Sequence, residues 1–356
     1  MDSSMWQWQE KGTAWKGVGI YHVTLTIPSR EPLLGKLEIP ENDPKEANVK
    51  RTELGKAILE CHKNIPTFHP EIQILQYSLM PDHIHSIWYV KRPMKQGIRY
   101  AAQAFWRAAK KIGRAYSFLR LPDVTINENN LSSIALPDRQ DNPLLEQLGN
   151  DAYQHLDPIF TEMPFIRPMS RKGQLKTMIR YVQMNPQRLA TKRLKPECFC
   201  VQEGIEIAGR TYSGVGNVEL LQAESLMPVH VRGIWVEDAE RHDYDQPLRD
   251  YMNRCVLAAR KGTVMVSPFI SKQEQAVMEV LLKEEHPFIY IADNGFRDYY
   301  KPQEALFDAV AAKRVLILSP WEYDAQKKHV SRADCVAMNK MAEEICADEG
   351  GIEEEI

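Results

Sequence analysis

The chain has 356 residues, too many for one ordinary hydrophobic core, so two domains are expected. Apolar residues make up 44% and charged residues 26%, a globular composition. No apolar run approaches the roughly 20 residues that cross a bilayer, which argues against a membrane-spanning helix. The net charge of −3 would speak against a nucleic-acid partner only if the charges were evenly spread, and they are not.

In chain order, the opening "MDSSMWQWQEKGTAWKG" lacks a basic start followed by an apolar block, so no secretory signal and a cytoplasmic location are expected. "GIYHVTLTI" alternates and is rich in β-formers, which predicts a strand, and "PSREPLLGKLEIP" predicts a turn and a second short strand. "NVKRTELGKAILECHKNI" carries apolar residues at helical spacing, with Gly55 as its one weak breaker. "EIQILQYSLMP" and "HIHSIWYV" read as two strands joined by a turn, and "IRYAAQAFWRAAKKIGRAYSFL" as a long basic helix. That order suits a small antiparallel sheet with helices, an α+β class. Residues 121–158 have little periodicity and many turn formers, and read as an insert. "SRKGQLKTMIRYVQMNP" predicts a helix capped by Ser170 and ending at Asn185-Pro186. "GRTYSGVGNVELL" closes this half, giving an expected first domain over 1–220. Beyond Pro228, short continuous apolar strands alternate with helices, which predicts a parallel, Rossmann-like α/β domain over 229–347 and an acidic tail over 348–356.

Charge is sharply patterned. From His83 to Pro122 there is no Asp or Glu, and from Met163 to Pro196 there is none again, while Lys and Arg recur through both segments. A polyanion responds to local charge within about 8 Å in physiological salt, so these stretches outweigh the acidic tail and favour a nucleic-acid surface over two solvated helix faces. The six cysteines are scattered, as reduced thiols are. "ECFCV" has no second pair at zinc-finger spacing, and Gly214-x-Gly216 lacks the third glycine of a dinucleotide fingerprint.

Two places carry chemistry. His83 and His85 are two apart on a strand and therefore share a face, either as half of a metal site or as a hydrogen-bonded pair on a sheet surface. Tyr181 is either a packed aromatic or a nucleophile; with an ordinary pKa of roughly 10 it would need a cation or metal beside it. Asn185, at i+4, would share its helix face and offer an amide oxygen as a third ligand.

"MPDHIH" with its apolar strand resembles the histidine–hydrophobic–histidine motif of HUH endonucleases. With "YHVTLTIPSREPLLG", "RYVQMNPQRLA" and "TYSGVG" in this order, residues 17–216 resemble the REP-associated tyrosine transposases, which are single-tyrosine members of that class. The resemblance implies a ferredoxin-like HUH nuclease domain that cuts and rejoins single-stranded or hairpin DNA through a 5′-phosphotyrosine. His83, His85 and Asn185 would hold Mg²⁺ or Mn²⁺, and Tyr181 would attack. Arg107, Lys110, Lys111, Arg171, Lys172, Lys176, Arg180 and Arg188 would hold DNA phosphates. A monomer and a homodimer are both compatible with this reading. The second domain resembles the Rossmann-like domains of DNA-processing protein A and its relatives. Ligands bind at strand ends in such sheets, which makes Ser267, Asp293 and Arg332 candidates, although no glycine-rich phosphate loop accompanies them. A structural or dimerising second domain is the alternative there. For the whole chain, the alternative is a non-catalytic DNA-binding protein whose second domain senses a ligand.

Overall fold

The structure is a computed structural model that describes residues 15–119, 159–170, 173–242, 244–297, 300–327 and 329–347. The expected insert, the acidic tail, Arg171 and Lys172 lie outside the described residues. The chain divides into two compact units, Met1–Ala190 and Thr191–Ile356.

In the first unit, β1 (Gly19–Thr26) is followed by the short strands β2 (Gly35–Glu38) and β3 (Asn48–Arg51), then by helices α1 (Glu53–Lys63) and α2 (Ile65–Phe68). β4 (Ile72–Leu79), β5 (His83–Val90), α3 (Ile98–Leu119) and β6 (Phe165–Pro168) come next. The helices α4 (Gln174–Gln183) and α5 (Asn185–Leu194) follow, the unit ending within α5. β1, β4, β5 and β6 form one antiparallel sheet in the order β4-β5-β1-β6. Counted within the sheet, its strands lie second, third, first, fourth, with helical crossovers after the first and third, which is the ferredoxin-like arrangement.

Two local expectations are corrected here. "NVKR", expected to open a helix, is β3, and it pairs with β2 as a separate ribbon. The helix begins only after Thr52, whose hydroxyl caps it by accepting from the Gly55 N–H at 3.1 Å. Gly55 itself does not break the helix. A side chain there would run into the Leu34 carbonyl, so the glycine is what lets the preceding loop lie against α1.

Alternation sorts the sheet's two faces. Tyr21, Val23 and Leu25 of β1 and Ile84, Trp88 and Val90 of β5 pack with Leu54 and Ile58 of α1 and with Ile98, Ala102 and Phe105 of α3. The other face of the same strands carries His22, Thr24, His83 and His85.

In the second unit, β7 (Gln202–Ile207) and β8 (Arg210–Gly216) form a hairpin, followed by β9 (Leu226–Pro228). Helices α6 (Gly233–His242) and α7 (Gln246–Arg260), β10 (Val264–Ser267), α8 (Lys272–Lys283) and β11 (Phe288–Ile291) follow. The described unit ends with α9 (Glu304–Ala311), β12 (Val315–Ser319) and α10 (Arg332–Ala347). The sheet order is β7-β8-β12-β11-β10-β9, parallel from β9 to β12 with the hairpin added antiparallel at one edge. "TYSGVG" therefore belongs to this unit, and the expected boundary near 220 moves back to 190/191. The cause is close pairing with β12, since Gly216 has φ +114° and a side chain there would strike the Val315 carbonyl.

Candidate active site

β5 is a central strand, flanked by β4 and β1, so its histidines stand on a stiff support. The Met80–Asp82 turn before it is pinned by backbone bonds from Ile27 to the Asp82 carbonyl (2.8 Å), from Leu34 to the Pro81 carbonyl (2.8 Å) and from Met80 to the His83 carbonyl (2.7 Å). His83 and His85 then project from the same face with ring centroids 4.6 Å apart and planes at 84°.

Each ring is oriented by a neighbour. His83 Nδ1 lies 2.6 Å from the Asp82 carboxylate, which Arg30 also reaches at 3.1 Å. Burial pushes the Asp82 carboxyl up, but the bonds and charges of His83 and Arg30 outweigh that and hold it below its ordinary range. His85 Nδ1 lies 2.9 Å from Thr24 Oγ1 and 3.0 Å from His22 Nε2, because Thr24 is directly opposite His85 in the β1–β5 register. His22 is buried and stacked on His85, with centroids 4.9 Å apart. Burial, with Arg167 and His83 nearby, lowers its pKa to about 4, so it is neutral near pH 7. With Nδ1 of each ring engaged, Nε2 is the nitrogen that would serve a metal, the pattern of an imidazole held from behind for coordination.

Tyr181 comes to the same face from α4, which packs on β4 and β5. Its ring centroid is 5.6 Å from that of His85 and 6.4 Å from that of His22, edge-on in both cases. The structure thus brings His83, His85 and Tyr181 together and adds His22, Thr24, Asp82 and Arg30, which sequence reading did not select. A signal for His22 and Thr24 was present in "YHVTLT", where they share a strand face. The pairing register that sets that face against His85 was not legible.

Two expectations about α4 change. The helix starts at Gln174 behind Gly173 (φ +82°), with no side-chain cap, so Ser170 is not its N-cap. It ends at Gln183, and Asn185 opens a second helix, because Pro186 has no N–H to continue the ladder. Asn185 is 4% exposed and its amide nitrogen is buried without a hydrogen-bond partner. One turn on, Arg188 is also buried and lies over the Tyr181 ring, with its guanidinium carbon 5.6 Å from the centroid.

A divalent ion fits this donor set in part. Among the described residues no group of three or more His, Cys, Asp or Glu stands ready for a metal. The protein side would be two imidazoles plus an amide oxygen, with oxygens from water or phosphate completing the shell.

The basic residues divide by sheet face. Arg107, Lys110 and Lys111 lie on α3, which packs on the core face, as the Trp88–Phe105 contact at 6.3 Å shows. The sheet separates them from the histidines. Lys110 sits over the Trp106 ring at 4.9 Å. Lys176 and Arg180 are exposed on α4, the helix that carries Tyr181.

In the second unit, Ser267 is fully buried at the end of β10. Its hydroxyl donates to the Val229 carbonyl (2.6 Å) and accepts from the Phe269 N–H (2.9 Å). The start of α8 beside it is filled by the chain's own Glu274, whose carboxylate accepts from the N–H groups of Val231 (2.8 Å), Ile270 (2.8 Å) and Ser271 (2.9 Å). The Ser267 hydroxyl is thus bonded to backbone on both its donor and its acceptor side. The Asp293 carbonyl accepts from Lys327 at 2.5 Å, and Arg332 is exposed at the start of α10. No hydrogen bond or ion pair among the described residues joins Ser267, Asp293 and Arg332.

No family model matches the chain. Its sequence is 30% identical over 73 residues to an uncharacterised protein of Haemophilus influenzae, a match that covers 20% of this chain and 37% of that protein. Among solved structures, it is similar to a REP-associated tyrosine transposase bound to a REP hairpin, at 14% identity and a TM-score of 0.26, over 50% of this chain and 73% of the other. It is also similar to DNA processing protein A of Streptococcus pneumoniae, at 12% identity and a TM-score of 0.28, over 70% of this chain and 75% of the other.

Proposed function

We propose that the first unit is a divalent-metal-dependent DNA transesterase of the HUH type, with Tyr181 as nucleophile. The reading is carried by one observation: Tyr181 is seated against His85 (5.6 Å) while His83 stands at right angles to the same ring (4.6 Å). Mn²⁺ or Mg²⁺ bound by His83 and His85, with the Asn185 amide as third protein ligand, would polarise the scissile phosphate. The Tyr181 oxygen attacks phosphorus and passes its proton to water. The P–O bond to the 3′-oxygen breaks, and that oxygen takes a proton to leave as a 3′-hydroxyl. The product is a 5′-phosphotyrosine that a 3′-hydroxyl can reverse, so strand transfer needs no ATP. The Arg188 guanidinium above the ring favours negative charge developing on the phenol oxygen. Lys176 and Arg180 hold flanking phosphates.

The test incubates labelled single-stranded hairpin DNA with the protein and Mn²⁺ or Mg²⁺, then looks for a covalent adduct on a denaturing gel. Wild type is expected to form one. Tyr181→Phe is expected to form none, and His83→Ala to lose at least a hundredfold while keeping hairpin affinity. Hairpin binding by wild type without any adduct would instead assign a non-catalytic DNA-binding role.

A further inference from the structure

We propose that His22 is a positioning residue that, with Thr24, fixes which nitrogen of His85 carries the proton and so presents Nε2 of that ring for a divalent ion. The inference rests on the metal-dependent reading above and extends it to β1, on which no ligand was placed.

The argument starts from one short distance. His22 Nε2 and His85 Nδ1 are 3.0 Å apart, and two imidazole nitrogens that close need a single hydrogen between them. A nitrogen bound to a metal has no proton to offer, so coordination through Nε2 leaves the hydrogen of a neutral His85 on Nδ1. Nδ1–H then donates, and two acceptors stand within reach, Thr24 Oγ1 at 2.9 Å and His22 Nε2 at 3.0 Å. His22 accepts at Nε2 and keeps its own proton on Nδ1. Alternatively His85 Nδ1–H donates to Thr24 Oγ1, and the Thr24 hydroxyl, 3.4 Å from His22 Nε2, passes the bond on by donating to it.

Stacking fixes the ring plane as well as the tautomer. The His22 and His85 planes are 26° apart at a centroid distance of 4.9 Å, so His85 cannot swing about its side-chain axis without displacing a buried neighbour. His83 has a different device, a carboxylate at 2.6 Å that is itself held by Arg30. The two imidazoles are therefore backed by unlike partners, one anionic and one neutral. Losing the neutral partner removes orientation without removing charge.

The experiment compares wild type with His22→Ala, His22→Gln, Thr24→Ala and His83→Ala in three measurements: Mn²⁺ affinity by electron paramagnetic resonance, the two-bond ¹H–¹⁵N spectrum of the metal-free imidazoles, and thermal melting. Wild-type His85 is expected to carry its proton on Nδ1. His22→Ala is expected to mix the two tautomers and to weaken Mn²⁺ about ten- to a hundredfold, the range for loss of a ligand's supporting partner, with melting still cooperative. His22→Gln, which restores an acceptor oxygen, is expected to recover part of that loss. Wild-type Mn²⁺ affinity in His22→Ala, or a proton on Nε2 of His85 in the wild type, overturns the proposal. A loss in His22→Ala as complete as in His83→Ala makes His22 a ligand and overturns it too. Mn²⁺ binding that depends on His83 and His22 without any DNA adduct sinks the transesterase reading and leaves this inference standing. Absence of Mn²⁺ binding in wild type removes both.

Discussion

At the residue scale, the first unit uses histidines for two purposes. His83 and His85 stand on one face of the sheet, each with a ring nitrogen engaged. His62, on the other face, is fully buried, with its Nε2 at 2.8 Å from the Ser86 hydroxyl, which also accepts from the Trp88 indole N–H at 2.8 Å. Burial, with Lys63 adding to it, lowers the His62 pKa to about 3, so the folded protein holds this ring neutral. Its unfolded counterpart takes up a proton below about pH 6.5. The unfolded state therefore gains protons first, and this share of stability, complete above pH 6.5, is lost as pH falls from there toward 3. Between those values it should fall by about 1.4 kcal/mol per pH unit. Urea unfolding from pH 7 to 4 is expected to show that slope in wild type, and His62→Gln is expected to flatten it. The histidine-x-histidine spacing was readable as a shared face, but the four histidines in "YHV", "ECH" and "HIH" look alike in sequence. Strand register sets His22 beside the pair, and the packing of α1 on the opposite face of the sheet sets His62 away from it.

At the scale of elements, the sheet decides which basic helix can meet the histidines. Both acid-free segments looked equivalent as sequences, and α3 was the longer and the nearer to "HIH" along the chain. Its apolar stripe, Ile98, Ala102 and Phe105, packs on the face opposite His83 and His85, and this places Arg107 and Lys111 away from them. α4 brings Lys176 and Arg180 with Tyr181. Reversing charge at Lys176 and Arg180 together is expected to weaken hairpin binding and to lower the salt slope by about one for each DNA phosphate left unneutralised. Arg107→Glu with Lys111→Glu is expected to leave the slope near wild type. A titration of hairpin affinity against salt decides this, and equal effects from both pairs would refute the assignment. The short strands β3 and β6 escaped sequence reading because four-residue strands carry too little periodicity to register, whereas β2 was expected from "PSREPLLGKLEIP".

At the scale of the whole molecule, each unit has its own core, and the division at 190/191 leaves the β7–β8 hairpin with the second sheet. β12 is buried along its whole length, with β8 along one edge and β11 along the other. A fragment spanning 191–347 is expected to unfold in one cooperative transition. One spanning 229–347 would expose the β12 edge, lose β9 as well, and is expected to aggregate. Equal behaviour of the two fragments in thermal unfolding and light scattering would place the boundary where the change in sequence texture first suggested it. By itself the sequence determined the α+β and Rossmann-like classes and the shared face of His83 and His85, because periods of 2 and 3.6 are local properties of the chain. Tertiary structure alone decided that Tyr181 reaches His85, that His22 and Thr24 stand behind that ring, that α3 lies across the sheet and that "TYSGVG" belongs to the second unit. Each of these depends on which strand pairs with which and in what register, and those choices are made by contacts between residues far apart in the chain.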